Sequence, residues 1–439
     1  MQAFPRIDGV LHADGVPLTA IAERVGTPVY VYSRRYIESR YRDLTEALAP
    51  RGADVCYAVK ANANLAVLRC LAELGAGFDI VSGGELERVV AAGGRPDRVI
   101  FSGVGKRDDE IDLALKLGIR CFNVESAAEL ERLSARAALH QRVAPVSLRV
   151  NPDVDPRTHP YISTGLKHSK FGVPLATARD LYRRIADDPN LRAVGVDCHI
   201  GSQVMSIEPL LEALTSLLAL VDTLARDGIE LDHVDVGGGL GVNYQRGSRG
   251  ENDDPDLDGF DVEAYGSALA QAMSGRRERL ILEPGRYLVA NGGVLLTRLE
   301  YLKPASDAEA PGFAVVDAAM NDLIRPALYQ AHHEVRPVVA REDLPVRRWN
   351  VVGPVCESGD FLANDRQLAL EAGDLLAICS AGAYGFVQSS NYNARSRPPE
   401  VLVEGDTFRV VRRRETVRDQ LALELPEGAV AALPPRQEA

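Results

Sequence analysis

A lysine closes a short apolar segment early in the chain. Cys56–Val59 reads as a β-strand, and Lys60 follows it directly. Burying a lysine costs free energy unless the amine has a partner or a chemical task. Ligands bind at strand ends in α/β proteins, and a desolvated amine there can lose its proton and form a Schiff base. Lys60 is therefore a candidate for covalent catalysis, and the competing explanation is an ion pair at a strand end.

Chemically useful groups also follow three later apolar segments. Glu283 and His199 each end such a segment, and the glycine-rich run Gly237–Gly241 ends a third. Glycine amides can hold a phosphate, with Ser202 as an added hydroxyl donor. A carboxylate can hold a protonated ring nitrogen, and an imidazole can stack on a flat ring. Each group alone has an ordinary structural explanation, but together with the lysine they predict a site for pyridoxal phosphate.

Strand and helix patterns that alternate between about residues 50 and 286 must position these groups. Eight strands are predicted at Val55–Val59, Phe78–Val81, Val99–Ser102, Arg120–Val124, Val146–Val150, Val194–His199, His233–Val236 and Leu280–Glu283. Helices, with apolar residues three and four positions apart, are predicted at Gly84–Ala92, Asp108–Leu117, Ala127–Ala138, Leu175–Asp187, Ile207–Arg226 and Val262–Met273. This alternation predicts a (β/α)8 barrel of TIM type, with catalysis at the carboxyl ends of the strands. The alternative is a doubly wound open sheet, but no G-x-G-x-x-G follows an early strand and no G-x-x-x-x-G-K-[ST] occurs.

Short β-type segments replace the helical pattern after residue 290. They lie at Val294–Leu302, Phe313–Asp317, Asn350–Val355, Leu375–Ile378, Glu400–Val403 and Thr407–Val411. Residues 291–439 are therefore predicted to form a β-rich domain, a barrel or sandwich, beside the barrel of residues 36–290. Residues 1–35 are expected to join the β-rich domain through a strand at Val29–Tyr32. Loops are predicted over 247–259 and around Ser163–Lys170, and a frayed tail from Pro426.

Composition limits the classes of partner. The chain has 439 residues, 46% of them hydrophobic, and a net charge of −12. An acidic surface repels phosphate backbones, so a nucleic-acid partner is not expected. No apolar run is long enough for a bilayer and the N-terminus has no apolar signal-peptide core, so a cytoplasmic protein without membrane contact is expected. The six cysteines include no C-x-x-C pair, which disfavours a metal site, and no metal is expected.

The motifs resemble those of a known family. Four of them together are similar to the fold-type III pyridoxal phosphate decarboxylases: Tyr57–Asn62, His199–Gln203, Gly237–Gly241 and Glu283–Arg286. Three more resemble the diaminopimelate decarboxylases within that group: Arg325–Tyr329, Gly353–Asp360 and Gly382–Gly385. The resemblance implies an alanine-racemase-like barrel with a β-domain and pyridoxal 5'-phosphate as cofactor. It also implies conversion of meso-2,6-diaminopimelate to L-lysine and carbon dioxide, the last step of lysine biosynthesis.

The resemblance also implies roles for individual residues. Lys60 would hold the cofactor, and Cys356 would protonate the carbanion left after decarboxylation. The residues implied in cofactor binding are Lys60, His199, Ser202, Gly238, Gly239, Gly241, Glu283, Pro284, Gly285, Arg286 and Tyr384. Those implied in substrate binding are Arg286, Arg325, Tyr329, Glu357 and Tyr384. Arginine and tyrosine suit a distal carboxylate, because arginine offers a fork of donors, and Glu357 suits the distal ammonium.

In the family that this chain resembles, the residues matching Cys356 and Glu357 come from the partner subunit, which implies a homodimer with shared sites. The alternatives within the fold are a decarboxylase of ornithine, lysine, arginine or carboxynorspermidine, and an alanine-racemase-like enzyme. Arg325 with Tyr329 argues against substrates that lack a distal carboxylate. A non-catalytic pyridoxal phosphate carrier is disfavoured because such proteins are short and lack a β-domain.

Overall fold

The computed structural model describes residues 2–155, 170–245, 259–306 and 310–426. The chain divides into a barrel unit, Arg34–Gly292, and a β-unit, which combines Ala3–Ser33 with the chain from Gly293 onward. Most of the predicted loop 247–259, the segment Ser163–Ser169 and nearly all of the predicted tail lie outside the described residues.

The chain begins with the first elements of the β-unit. They are β1 (Arg6–Ile7), β2 (Val10–Ala13), β3 (Val16–Pro17), α1 (Leu18–Val25) and β4 (Val29–Ser33). Strands β1, β2 and β3 form a small antiparallel sheet of their own. Strand β4 is completely buried, which fits its run of β-branched and aromatic residues.

The barrel unit follows. Its elements are α2 (Arg34–Leu48), β5 (Asp54–Ala58), α3 (Leu65–Glu73), β6 (Gly77–Ile80), α4 (Gly83–Ala91), β7 (Val99–Phe101), α5 (Asp108–Leu117), β8 (Cys121–Val124), α6 (Ala127–Leu139), β9 (Ala144–Asn151), β10 (Val173–Pro174), α7 (Leu175–Asp187), β11 (Leu191–Asp197), α8 (Glu208–Arg226), β12 (His233–Asp235), α9 (Val262–Ala272), β13 (Arg279–Leu282) and α10 (Arg286–Val289).

Eight parallel strands close into a ring. The order is β5, β6, β7, β8, β9, β11, β12 and β13, and β13 pairs again with β5. The short β10 pairs only with β9, outside the ring. Small and medium apolar side chains fill part of the barrel interior: Cys56, Ile100, Cys121, Val194 and Ile281. Cys56 and Cys121 are two of the four cysteines that the structure buries, as expected of thiols in a reduced protein.

The rest of the β-unit comprises β14 (Gly293–Lys303), β15 (Gly312–Val316), α11 (Arg325–Tyr329), β16 (Val335–Pro337), β17 (Arg347–Val352), β18 (Phe361–Leu368), β19 (Leu375–Ile378), β20 (Glu400–Glu404), β21 (Thr407–Arg412) and α12 (Val417–Leu421). Its main sheet has the order β18, β17, β15, β14, β4, β20, β21, and β19 pairs with both β14 and β16. The N-terminal β4 therefore lies between two strands from the far end of the chain.

The predicted fold class, a (β/α)8 barrel plus a β-rich part, is confirmed. All eight predicted barrel strands lie within three residues of the observed ones. The sequence patterns did not predict α2 and α3, nor the edge strand β18. Helix α2 is rich in charge, and its apolar face becomes evident only where Tyr36, Tyr41 and Leu44 are buried. Within the described ranges, no helix combines the length and the apolar character needed to cross a membrane.

Gly266 allows α9 to pack closely on α2. A Cβ at this position would collide with the carbonyl oxygen of Ala47, and would lie 2.7 Å from its carbonyl carbon. Backbone atoms cannot move aside cheaply, so we expect Gly266→Ala to destabilise the protein by about 1–3 kcal/mol. This exceeds the gain of roughly 1 kcal/mol that alanine brings to a helix interior. Urea denaturation measures the difference.

Gly84→Ala is the matched control. Gly84 is exposed in the first turn of α4, and the nearest atom to an added Cβ is the Ser82 hydroxyl at 3.9 Å. This variant should be as stable as the wild type or slightly more stable. Equal destabilisation by both substitutions would contradict the role of the α2–α9 contact.

Candidate active site

Lys60 lies at the carboxyl end of β5, in a single 3-10 turn over Val59–Ala61. Its Nζ donates to Oδ2 of Asp79 at 2.7 Å. Asp79 is fully buried in β6, while 37% of the lysine side chain is exposed. Asp79 therefore anchors the amine from the buried side, and the lysine side chain is still accessible to solvent at the barrel rim. The sequence analysis did not include Asp79 among the candidate site residues.

Three buried carboxyl groups meet inside the barrel. Glu283, directly after β13, lies with Asp197 of β11 and Asp235 of β12, and one oxygen from each lies within 4.8 Å of the other two. The Asn123 side chain donates to Glu283 Oε1 at 3.4 Å. Oδ1 of Asp197 and Oδ2 of Asp235 have no hydrogen-bond partner among the described residues.

These carboxyls cannot all be ionised together. Burial raises the pKa of Glu283 well above its usual range, and the charges of Asp235, Asp79 and Asp197 add to that shift. Burial likewise raises the pKa of Asp235, to about 7, although the Gly237 amide bound to its carboxylate opposes the shift. The raised pKa values favour the protonated form of carboxyl groups in this cluster.

His199 is a neutral ring with a defined tautomer. Burial lowers its pKa well below the usual range, and the cations Arg149 and Lys60 lower it further. The Gly238 amide donates to His199 Nδ1 at 3.1 Å, so the ring proton lies on Nε2. A flat, uncharged imidazole held in this way suits stacking on another ring.

The loop after β12 approaches its neighbours closely. A Cβ on Gly238 would collide with the Glu283 carbonyl oxygen, and one on Gly239, whose φ is +101°, would lie 2.5 Å from the Gly201 carbonyl oxygen. Only glycine fits at both positions. In the part of the chain that the structure describes, the amides of Gly239 and Leu240 donate to no acceptor. These donors are available to an anion.

Arg286 joins this loop region from the next strand. It begins α10 and is buried. Its Nη2 donates to Ser202 Oγ at 2.8 Å, and its Nη1 donates to the Tyr244 hydroxyl. Pro284 and Gly285 lie against β5: the Pro284 carbonyl accepts from Ala58 N at 3.0 Å. Arg286 and Ser202 therefore share one side of the barrel mouth, and Tyr244 is a neighbour that sequence reasoning missed.

Arg149 is a buried cation in β9. Its Nη1 lies 3.3 Å from Glu125 Oε1, and its guanidinium stacks over Phe171 at 4.8 Å. Glu125 also accepts from the amides of Gly103 and Gly172, on two different rim loops. This network ties the rim together near His199.

Arg325 lies in the β-unit, at the start of α11, and is buried. Its Nη1 lies 2.9 Å from Nε2 of His333, and Nδ1 of that histidine lies 2.8 Å from the Cys379 carbonyl oxygen. Tyr329 ends the same short helix and is partly buried. His333 is completely buried, and the sequence analysis gave it no role.

Cys356 lies at an exposed tip of the β-unit with a fixed backbone. Its amide donates to Asn393 Oδ1 at 2.9 Å, and the buried Asp360 accepts from the Val355 amide at 2.8 Å. The Tyr392 hydroxyl hydrogen-bonds to Glu357, which raises the pKa of that tyrosine. The thiol and Glu357 both face solvent in the single chain.

One small apolar cluster connects this tip to α11. Val355 packs with Ala319 and Met320, and Ile324 and Ala327 pack against them. The structure therefore brings the Cys356 segment and the Arg325–Tyr329 helix together within the β-unit.

Tyr384 has a left-handed backbone, with φ of +55°. Such a conformation is uncommon for a residue other than glycine and persists only where the surroundings hold it. The next residue, Gly385, has no room for a side chain, because a Cβ would lie 2.5 Å from the Ala381 carbonyl oxygen. The Tyr384 ring is therefore presented from a constrained turn.

The residues that sequence reasoning missed share one signal. Each is a polar or charged residue near the carboxyl end of an otherwise apolar strand: Asp79, Asn123, Arg149, Asp197 and Asp235. Burying such groups is costly without a partner, so their positions alone indicate a site. His333 and Tyr244 lie in loops, where no such pattern exists.

Comparison with known proteins identifies the family. The model of the family described as "Pyridoxal-dependent decarboxylase, pyridoxal binding domain" matches residues 34–290. Diaminopimelate decarboxylase of Pseudomonas fluorescens is 58% identical over 430 residues, covering 97% of this chain and 100% of that protein. The chain belongs to the diaminopimelate decarboxylase family. It is a pyridoxal phosphate-dependent carboxy-lyase, so the predicted family, cofactor and enzyme class are confirmed.

Solved structures of this family share the fold along nearly the whole chain. Diaminopimelate decarboxylase from Helicobacter pylori, complexed with L-lysine, is 40% identical with a TM-score of 0.86, covering 93% of this chain and 99% of that one. The enzyme from M. jannaschii, in co-complex with L-lysine, is 36% identical with a TM-score of 0.89. The match covers 98% of this chain and 100% of that one.

The residues of the barrel unit fit pyridoxal phosphate. A cofactor phosphate needs free amides and cations, and the loop after β12 offers two amides beside Arg286. A pyridine nitrogen needs an acid, and burial among other carboxyl groups raises the pKa of Glu283, which favours its protonated form. The aldehyde needs an amine, and Lys60 is accessible at the rim. The chemistry of the donor set thus matches the three ends of the cofactor.

The raised pKa of Asp235 predicts a pH-dependent stability of the cofactor-free protein. An aspartate in an unfolded chain loses its proton near pH 4, whereas folded Asp235 keeps its proton up to about pH 7. The folded chain therefore holds the extra proton between these values, and stability falls as the pH rises through that window. Asp235→Asn cannot ionise and keeps an acceptor for the Gly237 amide, so it removes this loss.

We expect the stability of Asp235→Asn relative to wild type to increase from pH 5 to pH 8, by on the order of a few kcal/mol. Urea denaturation of cofactor-free protein at both pH values measures it. Asp232→Asn is the control, because Asp232 is exposed at the other end of β12 and its side chain is 65% exposed. If Asp235→Asn changes the free energy of unfolding by the same amount at pH 5 and pH 8, the raised pKa of Asp235 is refuted.

Proposed function

We propose that this carboxy-lyase converts meso-2,6-diaminopimelate to L-lysine and carbon dioxide. The family membership of the whole chain supports the reaction, and the related enzymes of H. pylori and M. jannaschii are described as complexes with L-lysine. The observation that carries the choice of substrate is the buried Arg325 guanidinium, because a substrate with a second amino-acid end needs a cation for its distal carboxylate.

Lys60 is the proposed attachment point of the cofactor. Once bound, pyridoxal phosphate supplies an electron sink for the pair that remains when carbon dioxide leaves. Asp79 orients the Lys60 amine through its 2.7 Å hydrogen bond. Glu283 would hold a proton on its carboxyl and share it with the pyridine nitrogen, and the raised pKa of Glu283 supports this role.

The remaining barrel residues would hold the other parts of the cofactor. His199, neutral and fixed by the Gly238 amide, would stack on the ring. Amides of the loop containing Gly238, Gly239 and Gly241 would bind the phosphate, as would Ser202, with Pro284 and Gly285 shaping the rim. Arg286 would contact the phosphate side through its bond to Ser202 and also reach the substrate.

The β-unit would supply the groups for the substrate. Arg325 and Tyr329 would bind the distal carboxylate, and Glu357 the distal ammonium. Tyr384 would contact both cofactor and substrate from its constrained turn. Cys356 would donate the proton that replaces carbon dioxide at the substrate carbon.

We further propose a homodimer in which Cys356 and Glu357 complete the site of the partner subunit. The exposure of the tip supports this, because its backbone is held by Asp360 and Asn393 while Cys356 and Glu357 are exposed in the single chain. A cytoplasmic location is part of the proposal. It is supported by six free cysteines, as expected in a reducing compartment.

Carbon dioxide release tests the substrate. The purified enzyme, loaded with pyridoxal phosphate, should release carbon dioxide from meso-diaminopimelate at least about 100-fold faster than from ornithine, lysine or carboxynorspermidine, because only the first carries the distal carboxylate. Release from another substrate only would overturn the assignment of meso-diaminopimelate as the substrate.

The Lys60→Ala variant should lose at least about 100-fold in activity. It should also lose the visible absorbance that borohydride traps in the wild type. A lysine-linked cofactor in Lys60→Ala would exclude Lys60.

Subunit mixing tests the shared site. Lys60→Ala and Cys356→Ala should each be nearly inactive alone. If each site takes Lys60 from one subunit and Cys356 from the other, a mixed dimer contains one intact site, so random reassociation should restore about a quarter of wild-type activity. If both residues act within one subunit, every site in the mixture carries a defect and no activity returns.

A further inference from the structure

Arg325 and His333 form a buried pair that only the folded β-unit brings together. His333 lies two residues before β16 and has no solvent exposure. Its Nε2 lies 2.9 Å from Arg325 Nη1. Its ring is therefore part of the immediate surroundings of a guanidinium to which we have given a substrate role.

The partners of the two ring nitrogens define the tautomer. A carbonyl oxygen can only accept, and the Cys379 carbonyl lies 2.8 Å from His333 Nδ1. The ring proton is therefore on Nδ1, and Nε2 presents a lone pair. A guanidinium can only donate, so the Arg325 Nη1–H donates to Nε2. Both hydrogen bonds are made only by the neutral ring.

Hydrogen bonds to neighbouring strands fix the backbone of Cys379 and of His333. Cys379 directly follows β19, and its amide donates to the Glu334 carbonyl at 2.8 Å. The His333 carbonyl accepts from Nη2 of Arg366, in β18, at 3.2 Å. The position of His333 Nε2, which accepts from Arg325, therefore depends on three segments of the β-unit: the loop that contains His333, the end of β19, and β18.

A neutral acceptor has a specific consequence for a binding arginine. A carboxylate in the same place would orient the guanidinium but would also neutralise its charge. The imidazole orients Arg325 and does not itself neutralise that charge. Because arginine binds carboxylates through a planar fork, its orientation decides whether both donors of the fork reach the ligand.

We propose that His333 is a positioning residue that sets specificity for the distal carboxylate by orienting the charged Arg325. This rests on the proposed function, in which Arg325 binds that carboxylate. His333 itself touches Arg325 and not the substrate.

L-Lysine and cadaverine test the proposal, because they differ only by the carboxylate in question. Calorimetry on the pyridoxal phosphate-loaded enzyme gives Kd for both ligands. His333→Asn keeps a donor for the Cys379 carbonyl but loses the acceptor for Arg325. We expect its Kd for L-lysine to rise roughly 10-fold, while Kd for cadaverine changes less than about 2-fold and cofactor absorbance is unchanged.

Two further variants separate orientation from packing. His333→Gln keeps an acceptor that reaches Arg325, and its Kd for L-lysine should stay within about 3-fold of wild type. His333→Glu supplies an acceptor that neutralises Arg325, and it should weaken L-lysine binding by about 10-fold or more. His332→Gln is the matched control, since His332 instead contacts Arg366 and Glu334, and it should leave both Kd values unchanged.

The outcomes are distinguishable. Equal weakening of L-lysine and cadaverine, or equal effects of the Asn and Gln variants, would reduce His333 to a packing residue and overturn the inference. Wild-type affinity for L-lysine in His333→Glu would overturn it too, even if the Asn variant failed to fold. Arg325→Ala is the reference: if it leaves Kd for L-lysine unchanged, the proposed role of Arg325 fails, whatever His333 does.

Discussion

The cost of burying charge governs this structure. Glu283, Asp235 and Asp197 share one small volume inside the barrel; burial raises the pKa of each, and nearby carboxylates, including Asp79, add to the shift. A barrel interior would be more stable with apolar side chains there. Keeping three carboxyls, with Lys60 on Asp79 nearby, makes sense where protons must be held for a bound base. Strand ends are where such groups can be both buried and reachable.

The same constraint has a different solution in the β-unit. Arg325 is buried as well, and one partner that the fold brings to it is a neutral imidazole, itself held by a backbone carbonyl. In the barrel unit, burial favours the protonated form of clustered carboxyl groups. In the β-unit, the contact with His333 does not neutralise the charge of Arg325. Each arrangement lies within its own unit, and the proposed roles in substrate binding build on both.

Much of the fold follows from local patterns. Barrel strands are short apolar runs separated by amphipathic helices, and both signals belong to neighbouring residues, so all eight strands were predictable. Helix α2 was missed because its charge hides a narrow apolar face. In the candidate site, Lys60, His199 and Glu283 were predictable because each directly ends or follows a strand. Asp197 and Asp235 have the same position, yet their role depends on an encounter with Glu283.

The sequence by itself determined the order of the elements, the barrel, and which reactive side chains reach its rim, because periodicity and strand ends are local properties. The tertiary structure alone decided which acids share protons, which tautomers His199 and His333 adopt, and that Cys356 stands on an exposed tip. Those properties depend on distances between residues far apart in the chain. Arg325 and Cys379 are separated by 54 positions, and only the folded sheet brings both to one imidazole ring.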